Sequence, residues 1–131
     1  MIVVDTNVLA YFLLPYEYSS QAEALFRRDS EWAAPIFWRS EFRNLLAGYI
    51  RRKTLTFDEA LRVQGDAESL MHGNEHEVDS RRVMELVRDS SCTAYDCEFV
   101  ALAIRLGVKV VTMDKQLLKA FPQHTTAFSA A

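Results

Sequence analysis

The chain has 131 residues, half of them hydrophobic and a quarter of them charged, which predicts one domain (residues 1–131) with a sizeable buried core. Its formal net charge of -3 excludes a globally basic surface, so any nucleic acid would be held by a local basic patch or through a metal ion. No basic region precedes the first apolar residues, and the longest apolar run, Val8 to Leu14, is far too short to span a bilayer. We therefore expect a soluble, cytoplasmic protein that does not enter a membrane.

Strand and helix patterns alternate from the start of the chain. Ile2 to Val4 is apolar and β-branched without an alternating polar partner, which predicts a strand buried on both faces, as in a parallel sheet covered by helices. Two helices are predicted next. The first covers Val8 to Leu14 and is ended by Pro15, and the second begins at Ser19 or Ser20 and runs to Arg28.

The middle of the chain continues this alternation. Trp32 and Ala33 predict a weak strand that is ended by Pro35, a residue that suits the first turn of the next helix. Thr56 and Glu59 have the spacing of a capping box and begin a helix that runs to about Met71. The helix between these elements has apolar side chains at helical spacing, which are Trp38, Phe42, Leu45, Leu46, Tyr49 and Ile50.

One strong strand and a capped helix dominate the rest of the sequence. Thr93 begins a helix that ends at Leu106 with Gly107 as its C-cap, and Val108 to Thr112 predicts the second strong strand. The whole alternation predicts a three-layer α/β/α sandwich around a mainly parallel sheet. The other predicted elements are a strand at His76 to Val78, a helix capped by Asp79 or Ser80, a short helix from Asp114 that stops before Pro122, and an edge strand at Thr125 to Phe128.

Four acidic residues are predicted to converge on one edge of this sheet. Asp5 and Asp114 each follow a strand directly, and the carboxyl ends of parallel strands share an edge. Asp96 stands at the beginning of a helix that runs back antiparallel to the next strand, so it lies over the same edge. Glu41 and Asp96 have apolar residues three and four positions away, which turns both toward the core. Because no Lys or Arg shares those stripes, a divalent cation would compensate all four charges together.

Each of these acids also has a simpler interpretation. Asp5 and Asp114 are good helix N-caps, and Asp96 suits the third position of a capping box begun by Thr93. Glu41 suits the positive end of its own helix. These interpretations explain the residues one at a time but do not predict their convergence.

Four short stretches occur in order along the chain, namely VVDTNVL, FWRSEFRNLL, TAYDCEFVALA and VVTMDKQLL. Together they resemble the signatures of PIN-domain nucleases, and more narrowly those of the small stand-alone toxins of bacterial and archaeal VapBC toxin–antitoxin systems. The resemblance covers nearly the whole chain, and its specificity lies in the order, spacing and chain length together.

This resemblance implies an acidic cluster and a set of supporting polar groups. The cluster consists of Asp5, Glu41, Asp96 and Asp114, which would be both the catalytic and the metal-binding residues, and the supporting groups are Thr6 or Asn7, and Thr112. Many relatives have a further acid where this chain has Gln116, which leaves one metal ion or two open. The resemblance also implies RNA as the substrate, products with a 5′-phosphate and a 3′-hydroxyl, a cognate antitoxin and a homodimer.

The expected chemistry is hydrolysis of RNA phosphodiester bonds. Mg²⁺ or Mn²⁺ prefers carboxylate and water ligands, and such an ion activates a water molecule and screens the leaving oxygen. The sequence offers no Ser–His–Asp or Cys–His arrangement and no Gly-rich phosphate loop. We therefore predict a metal-dependent endoribonuclease that is the toxin of a toxin–antitoxin pair. A housekeeping PIN nuclease in RNA processing and a non-catalytic interaction domain are the alternatives.

Candidate contacts to RNA phosphates are Arg39, Arg43 and Lys115, which lie near the acids in sequence. The run Arg51 to Lys53 is better explained as cations at a helix end. The remaining groups have ordinary structural interpretations. His72 and His76 are expected to be loop polar groups, Cys92 and Cys97 to pack as small apolar residues, and the aromatic group Phe37, Trp38, Phe42 and Tyr49 to be partly core and partly a surface for a second copy or an antitoxin.

Overall fold

A computed structural model describes residues 1–15 and 17–131. Its centre is a five-stranded parallel sheet with the strand order β3-β2-β1-β4-β5. The strand β1 is central, and its Val3 pairs with Ala33 on one side and with Val110 on the other. The strands are β1 (Ile2–Val4), β2 (Trp32–Pro35), β3 (Glu75–His76), β4 (Val110–Thr112) and β5 (Thr125–Ala127).

Helices cover this sheet in two groups. The helix α1 packs against α2, α3 and α4, whereas α5 packs against α6, which lies against β1 and β2. The helices are α1 (Thr6–Leu13), α2 (Ser19–Arg28), α3 (Trp38–Arg51), α4 (Phe57–Met71), α5 (Ser80–Arg88), α6 (Ala94–Leu106) and α7 (Lys115–Ala120), and a short 3₁₀ helix covers Phe128–Ala130. The predicted three-layer α/β/α sandwich is confirmed.

The prediction that Pro35 opens a helix is wrong. Pro35 is the last residue of β2 and pairs with His76 of β3, and α3 begins three residues later. The amide groups of Ala34 and Ile36 donate to Asn74 and His76, so the missing N–H of Pro35 faces β1. A proline is tolerated there because the β1–β2 pairing has already ended at Val3 and Ala33.

Two strand boundaries also differ from the prediction. The strand β4 begins at Val110 rather than Val108, because Gly107 adopts a left-handed conformation and the amide of Val108 donates to the carbonyl of Ala103. This bond completes the C-terminal cap of α6 and removes Val108 from the strand. The strand β3 is Glu75–His76 instead of residues 76–78, because Glu75 and His76 are the residues in register with Ala34 and Pro35.

The core lies between the sheet and both helix groups. Its largest fully buried side chains include Trp32, Trp38, Phe42 and Leu102, and Cys92 and Cys97 are buried without a disulfide. The rings of Phe12, Phe26 and Trp32 contact one another, with centroids 4.6, 5.2 and 5.3 Å apart. Within the described ranges, no helix combines the length and the apolar character needed to cross a membrane.

Candidate active site

Asp5 lies where β1 ends and α1 begins. Its Oδ1 accepts a hydrogen bond from the amide of Val8 at 3.0 Å, which caps the helix. Its Oδ2 accepts a hydrogen bond from the hydroxyl of Thr112. Because two donors hold the carboxylate, its position is set by the fold rather than by solvent.

Asp114 lies in the equivalent place after β4. Its Oδ1 accepts from the amides of Gln116 and Leu117, at 2.9 and 3.2 Å, and so caps α7. Its own amide donates to the hydroxyl oxygen of Thr112 at 3.0 Å. The fully buried Thr112 therefore joins the two aspartates, since it donates to one and accepts from the backbone of the other.

Glu41 and Asp96 reach the same place from two helices. Glu41 lies in the first turn of α3, and its Oε1 accepts from the hydroxyl of Thr6 at 2.6 Å. Asp96 lies in the first turn of α6, where its amide donates to the hydroxyl oxygen of Thr93 at 3.1 Å and its side chain lines the cleft. Glu41 and Asp96 are each half-buried, as the apolar residues near them in sequence predicted.

All four acids line one open cleft of about 230 Å³ at the carboxyl edge of the sheet. No Lys or Arg lines it in the part of the chain that the structure describes, so the negative charges have no cationic partner there. The other lining residues are Thr6, Asn7, Asn44, Leu45, Phe99, Thr112 and Leu117.

Burial and mutual repulsion raise the pKa values of three of these carboxyl groups. Burial raises the pKa of Asp5, and the charge of Asp114 adds to this, although the hydrogen bonds from Thr112 and Val8 act in the opposite direction. Burial also raises the pKa of Glu41 and of Asp96, and neighbouring carboxylates add to both shifts. All three acids therefore hold their protons more strongly than free side chains do, as expected for a cluster of like charges without a counter-ion.

The donor set of the cleft fits a hard divalent cation. It offers carboxylate, hydroxyl and amide oxygens, and it has an excess of negative charge. Among the described residues, no three His, Cys, Asp or Glu side chains lie close enough together to hold one ion as they stand. The cleft therefore fits a divalent cation in the type of its donor atoms and in its charge, and not in the present spacing of its side chains.

Two of the proposed phosphate contacts are exposed near the cleft, and the third lies elsewhere. Arg43 and Lys115 are exposed and do not line the cleft. Arg39 instead makes two hydrogen bonds to Glu75, from Nε at 2.6 Å and from a terminal nitrogen at 2.7 Å, and one to Glu68 at 3.2 Å. The ion pair with Glu75 raises the pKa of Arg39 and lowers that of Glu75. The contacts of Arg39 join α3 to β3 and to α4.

Gln116, which stands where many relatives have another acid, also points away from the cleft. Its amide nitrogen donates to the carbonyl and hydroxyl oxygens of Ser91, at 3.0 and 3.2 Å, and so ties α7 to the loop before α6. Gln116 therefore has a structural contact here, and four acids remain to face the cleft.

The histidine and aromatic predictions hold only in part. His76 lies in β3 rather than in a loop, and its Nε2 is buried without a hydrogen-bond partner in the described chain, whereas His72 caps the end of α4. Trp38 and Phe42 are fully buried core residues, so they offer no aromatic surface. Phe37 is half-buried and retains some exposed ring.

Asn44 and Phe99 line the cleft but were not among the predicted site residues. Asn44 stands three positions after Glu41, and Phe99 three positions after Asp96, so each lies one helical turn beyond a predicted acid. The positions one helical turn after each predicted acid would therefore have indicated both residues from the sequence.

Residues 2–121 match the PIN domain, and the chain therefore belongs to the PIN domain family. The chain is 30% identical to Ribonuclease VapC3 of Pyrobaculum aerophilum over an alignment 138 positions long, covering 95% of this chain and 98% of that protein. Its fold is also similar to those of several solved structures. FitAcB from Neisseria gonorrhoeae has a TM-score of 0.78 and 17% identity, covering 98% of this chain and 99% of the other. A toxin–antitoxin complex from Klebsiella pneumoniae contains a chain with a TM-score of 0.71 and 13% identity, with full coverage of both chains.

Proposed function

We propose that this PIN domain protein is a divalent-cation-dependent endoribonuclease. The observation that supports this most directly is the single cleft lined by Asp5, Glu41, Asp96 and Asp114 without a cationic side chain. The relative named Ribonuclease VapC3, which aligns along nearly the whole chain, supports RNA as the substrate.

Each acid has a distinct role in this proposal. Asp5 and Asp114, which are held by helix caps and by Thr112, form the rigid side of the cation site. Glu41 and Asp96 complete it from α3 and α6. When bound, Mg²⁺ or Mn²⁺ supplies the positive charge that water activation and phosphate binding require.

Polar side chains around the cation site contact the RNA backbone in this proposal. The amides of Asn7 and Asn44 are exposed at the cleft and are suited to donate hydrogen bonds to phosphate or ribose oxygens. Arg43 and Lys115 are exposed near the cleft and would add attraction to neighbouring phosphates.

The protein is further proposed to be the toxin of a toxin–antitoxin pair that acts as a homodimer. The similar chain in the Klebsiella pneumoniae toxin–antitoxin complex supports an antitoxin partner. A basic side chain of that antitoxin would find four unpaired carboxylates in the cleft and would compete with the cation. A housekeeping role in RNA processing is the alternative, and an adjacent gene for a small DNA-binding protein would favour the toxin.

The decisive experiment is cleavage of RNA by the purified protein with Mg²⁺ or Mn²⁺, with chelator, and with the variant Asp96→Asn. We expect chelator to stop cleavage and Asp96→Asn to lower its rate by at least a hundredfold, because a lost ligand weakens both cation binding and positioning. Cleavage that persists in chelator and in the variant would refute the proposal.

Asp58→Asn is the matched control for this variant. Asp58 also lies in the first turn of a helix, α4, and is exposed. The contact between Arg39 and Glu68 shows that α3 and α4 run antiparallel, so α4 begins at the end of α3 remote from the cleft. This control should cleave RNA like the wild type.

A further inference from the structure

Tyr95 is an exposed aromatic residue beside the acidic cleft. Its relative exposure is 64%, although it directly precedes Asp96 in the first turn of α6. A tyrosine so exposed contributes little to the core, and the proposed chemistry at Asp96 does not require it.

Two aromatic rings, those of Phe37 and Phe99, connect Tyr95 with the cleft. The Phe99 ring lines the cleft and is buried, and its centroid lies 5.5 Å from that of Phe37. The Phe37 ring is half-buried and lies 5.6 Å from the Tyr95 ring at an interplanar angle of 39°. The row of Phe99, Phe37 and Tyr95 therefore begins at the cleft and ends at the solvent, where the Tyr95 ring packs on the Phe37 ring.

The charge around the cleft restricts what can hold RNA beside it. The cleft lining is acidic and lacks Lys and Arg in the described chain, so its side chains cannot attract phosphates by charge. A stacked base contributes affinity without charge, and aromatic side chains commonly hold unpaired bases in this way. A paired base does not offer its face for such a contact.

We propose that Tyr95 stacks on an unpaired base of the RNA next to the phosphate that a cation at Asp96 would hold, and so selects single-stranded segments. This inference rests on the proposed nuclease function, because it places that phosphate in the acidic cleft. Tyr95 is a positioning residue in this arrangement and takes no part in bond cleavage.

The test uses a short single-stranded RNA that carries the fluorescent base 2-aminopurine, with the full chain and Ca²⁺, a hard cation that takes oxygen ligands as Mg²⁺ does, and with intact RNA measured on the same samples. Stacking quenches this fluorophore. We expect quenching by the wild type and by Tyr95→Phe, and a loss of affinity between about 5-fold and about 150-fold for Tyr95→Ala. With Mg²⁺ or Mn²⁺ in place of Ca²⁺, Tyr95→Ala should raise KM for RNA cleavage by a similar factor and leave kcat nearly unchanged.

Phe57→Ala is the matched control, because Phe57 is also an aromatic residue at the start of a helix and is 67% exposed, but it lies at the remote end of α3 and α4. Phe57→Ala should bind and cleave like the wild type. A scan with single abasic nucleotides should find one position that weakens binding to the wild type and has no effect on Tyr95→Ala.

The two proposals fail in different ways. If RNA is cleaved but Tyr95→Ala changes neither quenching nor KM, stacking is refuted and the nuclease function remains. If no variant cleaves RNA while quenching depends on Tyr95, the nuclease function is refuted and the base contact remains. If Tyr95→Ala instead changes the sedimentation mass, Tyr95 belongs to a protein interface and the stacking proposal is overturned.

Discussion

Replacing Asp114 with asparagine separates its two roles in the fold. Oδ1 of Asp114 accepts from the amides of Gln116 and Leu117, and asparagine keeps this oxygen and therefore the helix cap. Asp114 also lies among the acids of the cleft, where its charge raises the pKa values of Asp5 and Asp96. The variant thus removes one negative charge from the cluster and leaves α7 capped.

The expected change in stability follows from the repulsion that is removed. Two unit charges about 4 Å apart repel by about 4 kcal/mol at an effective dielectric constant of 20 and by about 1 kcal/mol in water. Asp114 is exposed, so solvent screening places the gain near the lower value, about 1 kcal/mol. For a chain of this length, about 1 kcal/mol corresponds to a rise in Tm of about 4 °C.

The assay is a thermal melt in chelator and in millimolar Mg²⁺ or Mn²⁺. In chelator, Asp114→Asn should melt about 4 °C above the wild type. A cation at one hundred times its Kd stabilises the binding form by about 2.7 kcal/mol, and the variant should gain much less because it has lost a ligand. The order of the two melting temperatures should therefore reverse when the cation is added.

Asp79→Asn is the matched control for this comparison. Asp79 caps α5 by accepting from the amide of Arg82 at 3.1 Å, but it does not line the cleft. This substitution should not stabilise the protein in chelator, and the cation should raise its Tm as it does for the wild type. If Asp114→Asn behaves like Asp79→Asn in both conditions, the acids are only helix caps.

Three further predictions test other contacts of the site. Thr112→Val should destabilise the protein by about 1 to 3 kcal/mol and reduce the rise in Tm that the cation causes. Thr125→Val is the control, because Thr125 is similarly buried and its hydroxyl donates to a backbone carbonyl; it should lower stability and leave the cation effect unchanged. Burial raises the pKa of Asp5, so the folded metal-free protein binds the carboxyl proton of Asp5 more tightly than the unfolded chain does. The folded protein therefore loses stability as pH rises above about 3.8, the ordinary pKa of an aspartate. Asp5→Asn should remove that part of the pH dependence of Tm, measured in melts from about pH 4 to about pH 8. Arg43→Ala should reduce the slope of log affinity for single-stranded RNA against log salt by about 0.7, whereas Arg39→Ala should leave the slope unchanged and lower Tm.

The edge of the sheet at which the acids meet was predictable from sequence. A buried apolar strand followed by an aspartate occurs at Asp5, and a second such strand ends just before Asp114. Parallel pairing then requires both residues to lie at one edge. The helix that begins at Thr93 must return along the sheet, which brings Asp96 to the same edge. The order and direction of the elements are therefore enough to predict where Asp5, Asp96 and Asp114 lie.

The partners of individual side chains were not predictable in the same way. Arg39 is close to Glu41 in sequence, but its guanidinium pairs with Glu75, which is 36 residues away. Helical periodicity gives the face on which a residue lies, and it contains no information on which distant element covers that face. The same reason explains the buried positions of Trp38 and Phe42, whose aromatic character alone did not distinguish core from surface.

The two interpretations of the aspartates, as helix caps and as a cluster of charges, describe one arrangement. A cap fixes one carboxylate oxygen against the first turn of a helix, as Oδ1 of Asp5 is fixed by Val8 and Oδ1 of Asp114 by Leu117. Because α1 and α7 both begin at the same edge of the sheet, their caps place two charged groups on the rim of one cleft. The partial positive charge at each helix start attracts these carboxylates although they repel each other. The cost of holding like charges together is therefore partly offset by the same helices that fix their positions, and the remaining cost is what a bound cation would relieve.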